Sequence, residues 1–249
     1  MIILRTPGEV ELLREAGRLV ARVLAEVQRA TVPGVMTREL DALAERRIRE
    51  AGAVPAFKGY RGYPASLCVS INEEVVHGIP GSRRLKTGDL VSLDVGAFLK
   101  GYCGDITVTV AVGGSPDPVA TRLLEAGRGA LAAGIDAACP DGRLGDVGAA
   151  IQRFAEARGF SVVRDYCGHA IGQAMHEDLQ VPNFGPAGRG PVLKPGLVLA
   201  IEPMVNEGTF EVENLEDGWT VVTRDRKRSV HFEHTVAITE EGPDILTLV

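Results

Sequence analysis

VSLDVGAFLKGYCGDITVTV, residues 91–110, reads as two core strands that carry two aspartates. Asp94 follows Val-Ser-Leu, and Asp105 precedes Ile-Thr-Val-Thr-Val. If 91–98 and 102–110 form a hairpin turning near 99–101, opposed positions sum to a constant. Any odd sum, such as 199 or 201, places Asp94 and Asp105 on one face. Directly opposed side chains hold their Cβ atoms about 4.5–5.5 Å apart. Two carboxylates that close in an apolar setting repel and resist desolvation. A shared proton, an Arg or Lys, or a metal ion must compensate.

The pattern recurs along the chain. KTGDLVSLD at 86–94 matches KPGLVLAIE at 194–202, an offset of 108, and DITVTV at 105–110 is echoed by EHTVAI at 233–238. Upstream, TPGEVELLREAGRLVARVLAEVQRATVPG has helical apolar spacing, with Thr6 as N-cap, Pro7 at N1 and Glu9 closing a capping box. Pro33-Gly34 stops this helix. A second helix follows from a Thr37 cap to Gly52. Glu-Ala-Gly-Arg occurs at 15–18 and again at 125–128, opening a second helical region. The expectation is an internal duplication, helix-helix-strands twice, with pseudo-repeats over about 7–114 and 118–245 in one domain spanning 1–249. It sets Asp94 beside Glu202 and Asp105 near Glu233, so four strand carboxylates meet at the centre of an α/β body whose helices back a curved sheet.

Hydrophobic content and charge are ordinary for a soluble globular protein. The chain has 249 residues and a net charge of −6, which disfavours a general nucleic-acid or anionic-membrane binder. Four scattered cysteines (Cys68, Cys103, Cys139, Cys167) form no C-x-x-C pair and read as reduced thiols in a cytoplasmic protein, with Cys103 and Cys167 as small buried hydrophobes. No signal peptide or bilayer-spanning run is visible. RDRKR at 224–228 is read as a solvated hairpin tip, with a nucleic-acid or transient ribosome contact as the alternative.

No Lys or Arg sits inside the acid-bearing strands. Two histidine segments do stand nearby in kind: CGHAIGQAMHE, with His169 and His176, and HFEHTVAI, with His231 and His234 around Glu233. His231 and His234 are read as orienting or flanking Glu233 rather than binding metal. An oxygen-rich set with one imidazole suits two divalent first-row ions such as Mn, Fe, Co or Zn. Paired ions of this kind generate a hydroxide nucleophile and clamp a tetrahedral intermediate.

SLDVG…GYCGDITVT, GHAIGQAMHE, LAIEPM, HFEHTVAI and YPASLCVSINEEVVHGIP together resemble the motifs of the methionine aminopeptidases, in order and over nearly the whole chain. That resemblance implies the pita-bread fold and removal of initiator methionine from nascent chains, with a small second residue preferred. It implies Asp94, Asp105, His169, Glu202 and Glu233 as ligands of two metal ions, Asp105 and Glu233 bridging them. Glu202 would also pass protons, His176 would bind the scissile carbonyl, and His77 would orient the peptide. Phe57, Tyr60, Tyr63, Cys68, Met175 and Trp219 would line the methionine pocket. Only 31 residues separate Glu202 from Glu233, leaving no room for the helical insertion of type II enzymes, so a minimal bacterial-style type I monomer is expected. The sequence departs from the bacterial pattern at Phe57, where cysteine is frequent, at Met175, where an aromatic is common, and at Ala170, where the second glycine of GHGIG usually stands.

Two other functions share these features. A prolidase-like enzyme uses the same ligands on X-Pro bonds but usually carries a further N-terminal domain. A non-catalytic pita-bread protein binds peptides after losing ligands; here all five positions are filled.

Overall fold

A computed structural model describes residues 2–114 and 116–249; Met1 and Ser115 lie outside it. Two helices open the chain, α1 (Pro7–Ala30) and α2 (Thr37–Glu50). Short strands β1 (Val54–Pro55), β2 (Cys68–Ile71) and β3 (Glu74–Val76) lead to the long hairpin β4 (Leu90–Leu99) and β5 (Tyr102–Ala111). Helices return as α3 (Pro118–Ala137) and α4 (Leu144–Glu156). Then come β6 (Ser161–Val162), β7 (Gly168–Ala170), β8 (Glu177–Val181), β9 (Val198–Ile201) and β10 (Met204–Asn206). The last strands are β11 (Val212–Asn214), β12 (Val221–Thr223), β13 (Ser229–His231), β14 (Glu233–Thr239) and β15 (Gly242–Ile245).

A nine-stranded sheet runs β1-β4-β5-β14-β9-β7-β8, with β2 also on β4 and β15 also on β14. All its pairings are antiparallel. β5 and β14 pair in the middle of the path, and β4 and β9 flank them. β4 starts at Leu90 and β9 at Val198, 108 residues on. Each is preceded by a glycine in the left-handed region, Gly88 (φ 92°) and Gly196 (φ 91°), where a β-carbon would be strained.

Thr6 and Glu9 form the expected capping box on α1, whose inward stripe from Leu13 to Val27 is buried. The second cap differs from expectation. Met36 is the N-cap of α2, and Glu39 accepts from its backbone N–H. Thr37 is the first helical residue, and its hydroxyl accepts from Gly81 N at 2.8 Å. That hydroxyl is used to tie α2 to a distant loop and is not free to cap.

Alternation assigns the two faces of the sheet. Val91, Leu93, Val95 and Ala97 of β4 pack into the core with α1 and α2. A second core gathers α3 and α4 against β9 and β14. Close approach is built in at Gly104 of β5, where a β-carbon would stand 2.7 Å from the Gly17 nitrogen of α1. The opposite face, which carries Asp94 and Asp105, is therefore turned away from the helices. No helix among the described residues is long and apolar enough to cross a membrane.

The basic run 224–228 is not a hairpin tip. It turns between β12 and β13, which belong to two different three-stranded sheets. Its arginines are paired: Arg224 with Glu211, Arg226 with Glu213, and Arg228 with Glu207 and Asp117. Cys103 is buried as expected, but Cys167 is only half-buried.

Candidate metal centre and active site

Lys100 and Gly101, both at positive φ, make the two-residue turn between β4 and β5. Such a turn matches the right-handed strand twist and fixes the register. Opposed residues sum to 201: Asp94 faces Thr107, and Gly96 faces Asp105. The two aspartates thus share a face but sit diagonally, offset by one opposed pair rather than directly across.

Following each pair across the sheet gives two adjacent rows on this face. One runs Asp94, Thr107, Glu233, and Glu202 stands where its next place would fall, just past the last pair, Ile201–His234. The other runs Gly96, Asp105, Thr235, Ala200, His169. Small or short residues separate Asp105 from His169. In a flat sheet three strand spacings would part them by roughly 14 Å. Yet ligand atoms of Asp105, His169 and Glu233 all lie within 4.8 Å of one another. Curvature of the sheet and the reach of the side chains close that gap. Gly96 belongs to the same design, because a β-carbon there would lie 2.8 Å from Phe57 Cε1 and 3.3 Å from Asp105 Oδ1.

Second partners orient the cluster. Thr107 Oγ1 donates to Glu233 Oε2 at 2.7 Å. The Thr235 hydroxyl accepts from Asp105 N at 3.1 Å and donates to Asp105 O at 2.8 Å. Asn183 Nδ2 donates to the Glu202 carbonyl at 3.1 Å. His169 Nδ1 donates to Ala170 O at 3.1 Å, which leaves Nε2 bare, 3.5 Å from Glu202 Oε1.

Burial and mutual repulsion hold the carboxyls above their ordinary range. Asp94 is pushed up to about 6 by burial. Asp105 is raised by burial, then by Glu233, Asp94 and Glu202. Glu202 and Glu233 are raised by burial and by their acidic neighbours. Burial acts oppositely on the imidazoles, lowering His169 to about 3 and His77 to about 4, so both are neutral at pH 7. Asp94 Oδ1 and Asp105 Oδ1 are sealed from solvent with no hydrogen-bond partner. No Lys or Arg among the described residues pairs with any of the four acids. Orphaned carboxylate oxygens beside a bare imidazole nitrogen fit a divalent cation of the borderline class.

All thirteen residues singled out from the sequence line one cavity of about 320 Å³. Its inner end is the acid cluster. Beside it lies an apolar recess in which Phe57, Tyr63, Cys68 and Met175 are buried. Tyr63 and Trp219 meet edge-on at 5.0 Å, and Trp219 comes from the β11–β12 hairpin loop. His77, at φ 61°, stacks edge-on against Tyr166 at 5.7 Å and Trp219 at 6.2 Å. His176 lies 4.2 Å from His169 between ring centroids, and its Nδ1 meets Tyr60 Oη at 3.0 Å.

Three lining residues were not expected there: Val76, Arg61 and His231. Arg61, at φ 48° between Gly59 and Gly62, stands at the rim over Tyr60. His231 reaches Glu202 Oε2 at 3.5 Å rather than flanking Glu233. His234 does neither: its Nδ1 meets Thr247 Oγ1 at 2.8 Å, outside the cavity. Strand parity is the signal that separates them, since position 231 shares a side with 233 and position 234 does not.

The model of metallopeptidase family M24 matches residues 11–240. Methionine aminopeptidase 1 of Bacillus subtilis is 54% identical over 249 residues, covering both chains in full. The crystal structure of methionine aminopeptidase from Thermotoga maritima superposes with a TM-score of 0.98 at 47% identity, again over all of both chains. Prolidase from Pyrococcus furiosus superposes at 0.80 with 26% identity, over 99% of this chain but 66% of that one. The architecture is thus the pita-bread fold that joins aminopeptidases and prolidases. By the family match and these full-length similarities, the chain belongs to metallopeptidase family M24, alongside methionine aminopeptidases of the bacterial type I kind.

Proposed function

We propose that this enzyme removes the N-terminal methionine from peptides and nascent chains, preferring a small second residue. The observation that carries the reading is one cavity joining a buried carboxylate–histidine cluster to a closed aromatic and thioether recess. An unbranched thioether side chain fits such a recess, because sulfur is polarizable and packs well on aromatic edges.

Asp94, Asp105, His169, Glu202 and Glu233 would hold two divalent cations from among Co, Mn, Fe and Zn. Bound there, such ions supply Lewis acidity and a water of lowered pKa. Glu202, buried among acids and held high in pKa, takes a proton and returns it to the departing amine. His176, anchored through Nδ1 by Tyr60, presents Nε2 to the scissile carbonyl oxygen and its developing charge. His77, neutral and braced by Tyr166 and Trp219, meets the scissile amide. Phe57, Tyr60, Tyr63, Cys68, Met175 and Trp219 hold the methionine side chain. A wall this close rejects bulky second residues by overlap.

The reading places the protein in the cytoplasm as a monomer, meeting nascent chains where they emerge. It treats 1–249 as one domain of two pseudo-repeats, 7–114 and 118–245; the matched starts of β4 and β9 and the central β5–β14 pairing support this. The internally paired arginines of 224–228 weaken the case for a ribosome contact there.

Glu202→Gln tests the proton-carrying role. Methionine release from Met-Ala-Ser should fall by roughly a thousandfold or more, with peptide affinity within a few-fold. A variant within tenfold of wild type would remove Glu202 from that role.

A further inference from the structure

His231 is a buried histidine whose Nε2 has no hydrogen-bond partner, although it faces the catalytic cavity. Its backbone is fixed from both sides: Thr109 Oγ1 accepts from His231 N at 2.8 Å and donates to His231 O at 2.8 Å. Met204 of β10 pairs with it, and the side chain is buried at 2% exposure, which confines the ring. The nearest carboxylate atom is Glu202 Oε2, at 3.5 Å. Glu202 is thereby bracketed, with His169 Nε2 at 3.5 Å from its other oxygen.

The two imidazoles are not equivalent. His169 belongs to the group whose ligand atoms converge within 4.8 Å, and His231 does not. An unpartnered buried imidazole nitrogen is costly unless it is used. Its distance to Oε2 is that of a hydrogen bond not yet closed, and such bonds tighten as a site fills.

We propose that His231 is a positioning residue for Glu202, donating Nε2–H to Oε2 and holding the carboxyl in the orientation from which it moves protons. This rests on the functional reading above. A loosely held Glu202 would still let peptide bind but would reach the reacting atoms less often, so the loss belongs in kcat.

The test uses the manganese-loaded enzyme and Met-Ala-Ser, with kcat and KM measured separately for wild type, His231→Gln, His231→Asn and His231→Leu. Bound metal per chain and thermal unfolding are recorded for each. Gln carries an N–H to about the position of Nε2, whereas Asn is too short and Leu has no donor. The expected result is a kcat loss of about tenfold or more in the Asn and Leu variants, with KM within about twofold and metal content unchanged. Gln should recover most of the rate. If Leu fails to fold, the Asn–Gln contrast decides. Equal losses in Gln and Asn, a kcat near wild type in Asn, or metal loss in Asn with retention in Gln would each overturn the assignment. A wild-type enzyme that releases no methionine would instead overturn the functional reading itself.

Discussion

Asp105 shows what a single residue demands of this fold. It is buried, one of its oxygens has no partner, and three other acids surround it. In metal-free protein at pH 7 its charge is a liability. Asp105→Asn should therefore raise the stability of the chelated protein, by roughly 1–3 kcal/mol, while abolishing metal-dependent activity. A lower melting temperature for the chelated variant would contradict this. The same physics sets a pH trend. Asp105, Glu202 and Glu233 have folded-state pKa values raised above their unfolded ones. The folded chelated protein thus holds more protons than the unfolded chain, and the stability they contribute is full below about pH 4 and lost as pH rises. The histidines His77 and His169, lowered from 6.5 to about 4 and about 3, act only when pH falls below that ordinary value. Urea midpoints of chelated protein should therefore fall as pH rises through the raised carboxyl range. Shared facing of Asp94 and Asp105 was legible in the sequence, because parity alone decides it. Their diagonal offset was not, because the Lys100–Gly101 turn sets the register.

Elements place these residues, and glycines let the elements approach. The turn of α1 at Ala16–Gly17 lies against Gly104 of β5, on the reverse side of the strand that bears Asp105. Gly104→Ala would put a methyl 2.7 Å from rigid helix backbone, so α1 or β5 must shift. The expected cost is about 1–3 kcal/mol by urea unfolding, with weaker metal binding as β5 moves. Unchanged stability would mean the helix rides freely on the sheet. Both long helices were readable from apolar period and stop signals. The Thr37 cap was misplaced because its hydroxyl serves Gly81, a tertiary contact no local pattern announces. Strands of two to five residues, such as β7 and β8, carry too little periodicity to be assigned from sequence.

At the scale of the molecule, the sheet's curvature gathers acids from β4, β5 and β14, the glutamate just past β9 and the imidazole of β7 into one cluster. Repetition, at an offset of 108 for Asp94 and Glu202 and of 128 for Asp105 and Glu233, made four of these five legible as a set. A curved sheet was expected from the duplication, but that it brings His169 to these acids was implied only by family resemblance. Because the cluster repels itself, a divalent cation should bind the folded chain far better than the unfolded one. Manganese at a hundredfold over its dissociation constant should stabilise the chelated protein by about 2.7 kcal/mol, read as a raised melting temperature. No shift would deny the cluster a metal role. The most direct test is release of free methionine from Met-Ala-Ser, beside Leu-Ala-Ser and Ala-Pro-Ala, after chelation and again with manganese or cobalt restored. The account predicts metal-restored cleavage confined to the methionine peptide. Cleavage of Ala-Pro-Ala alone, or methionine release indifferent to chelation, would contradict it.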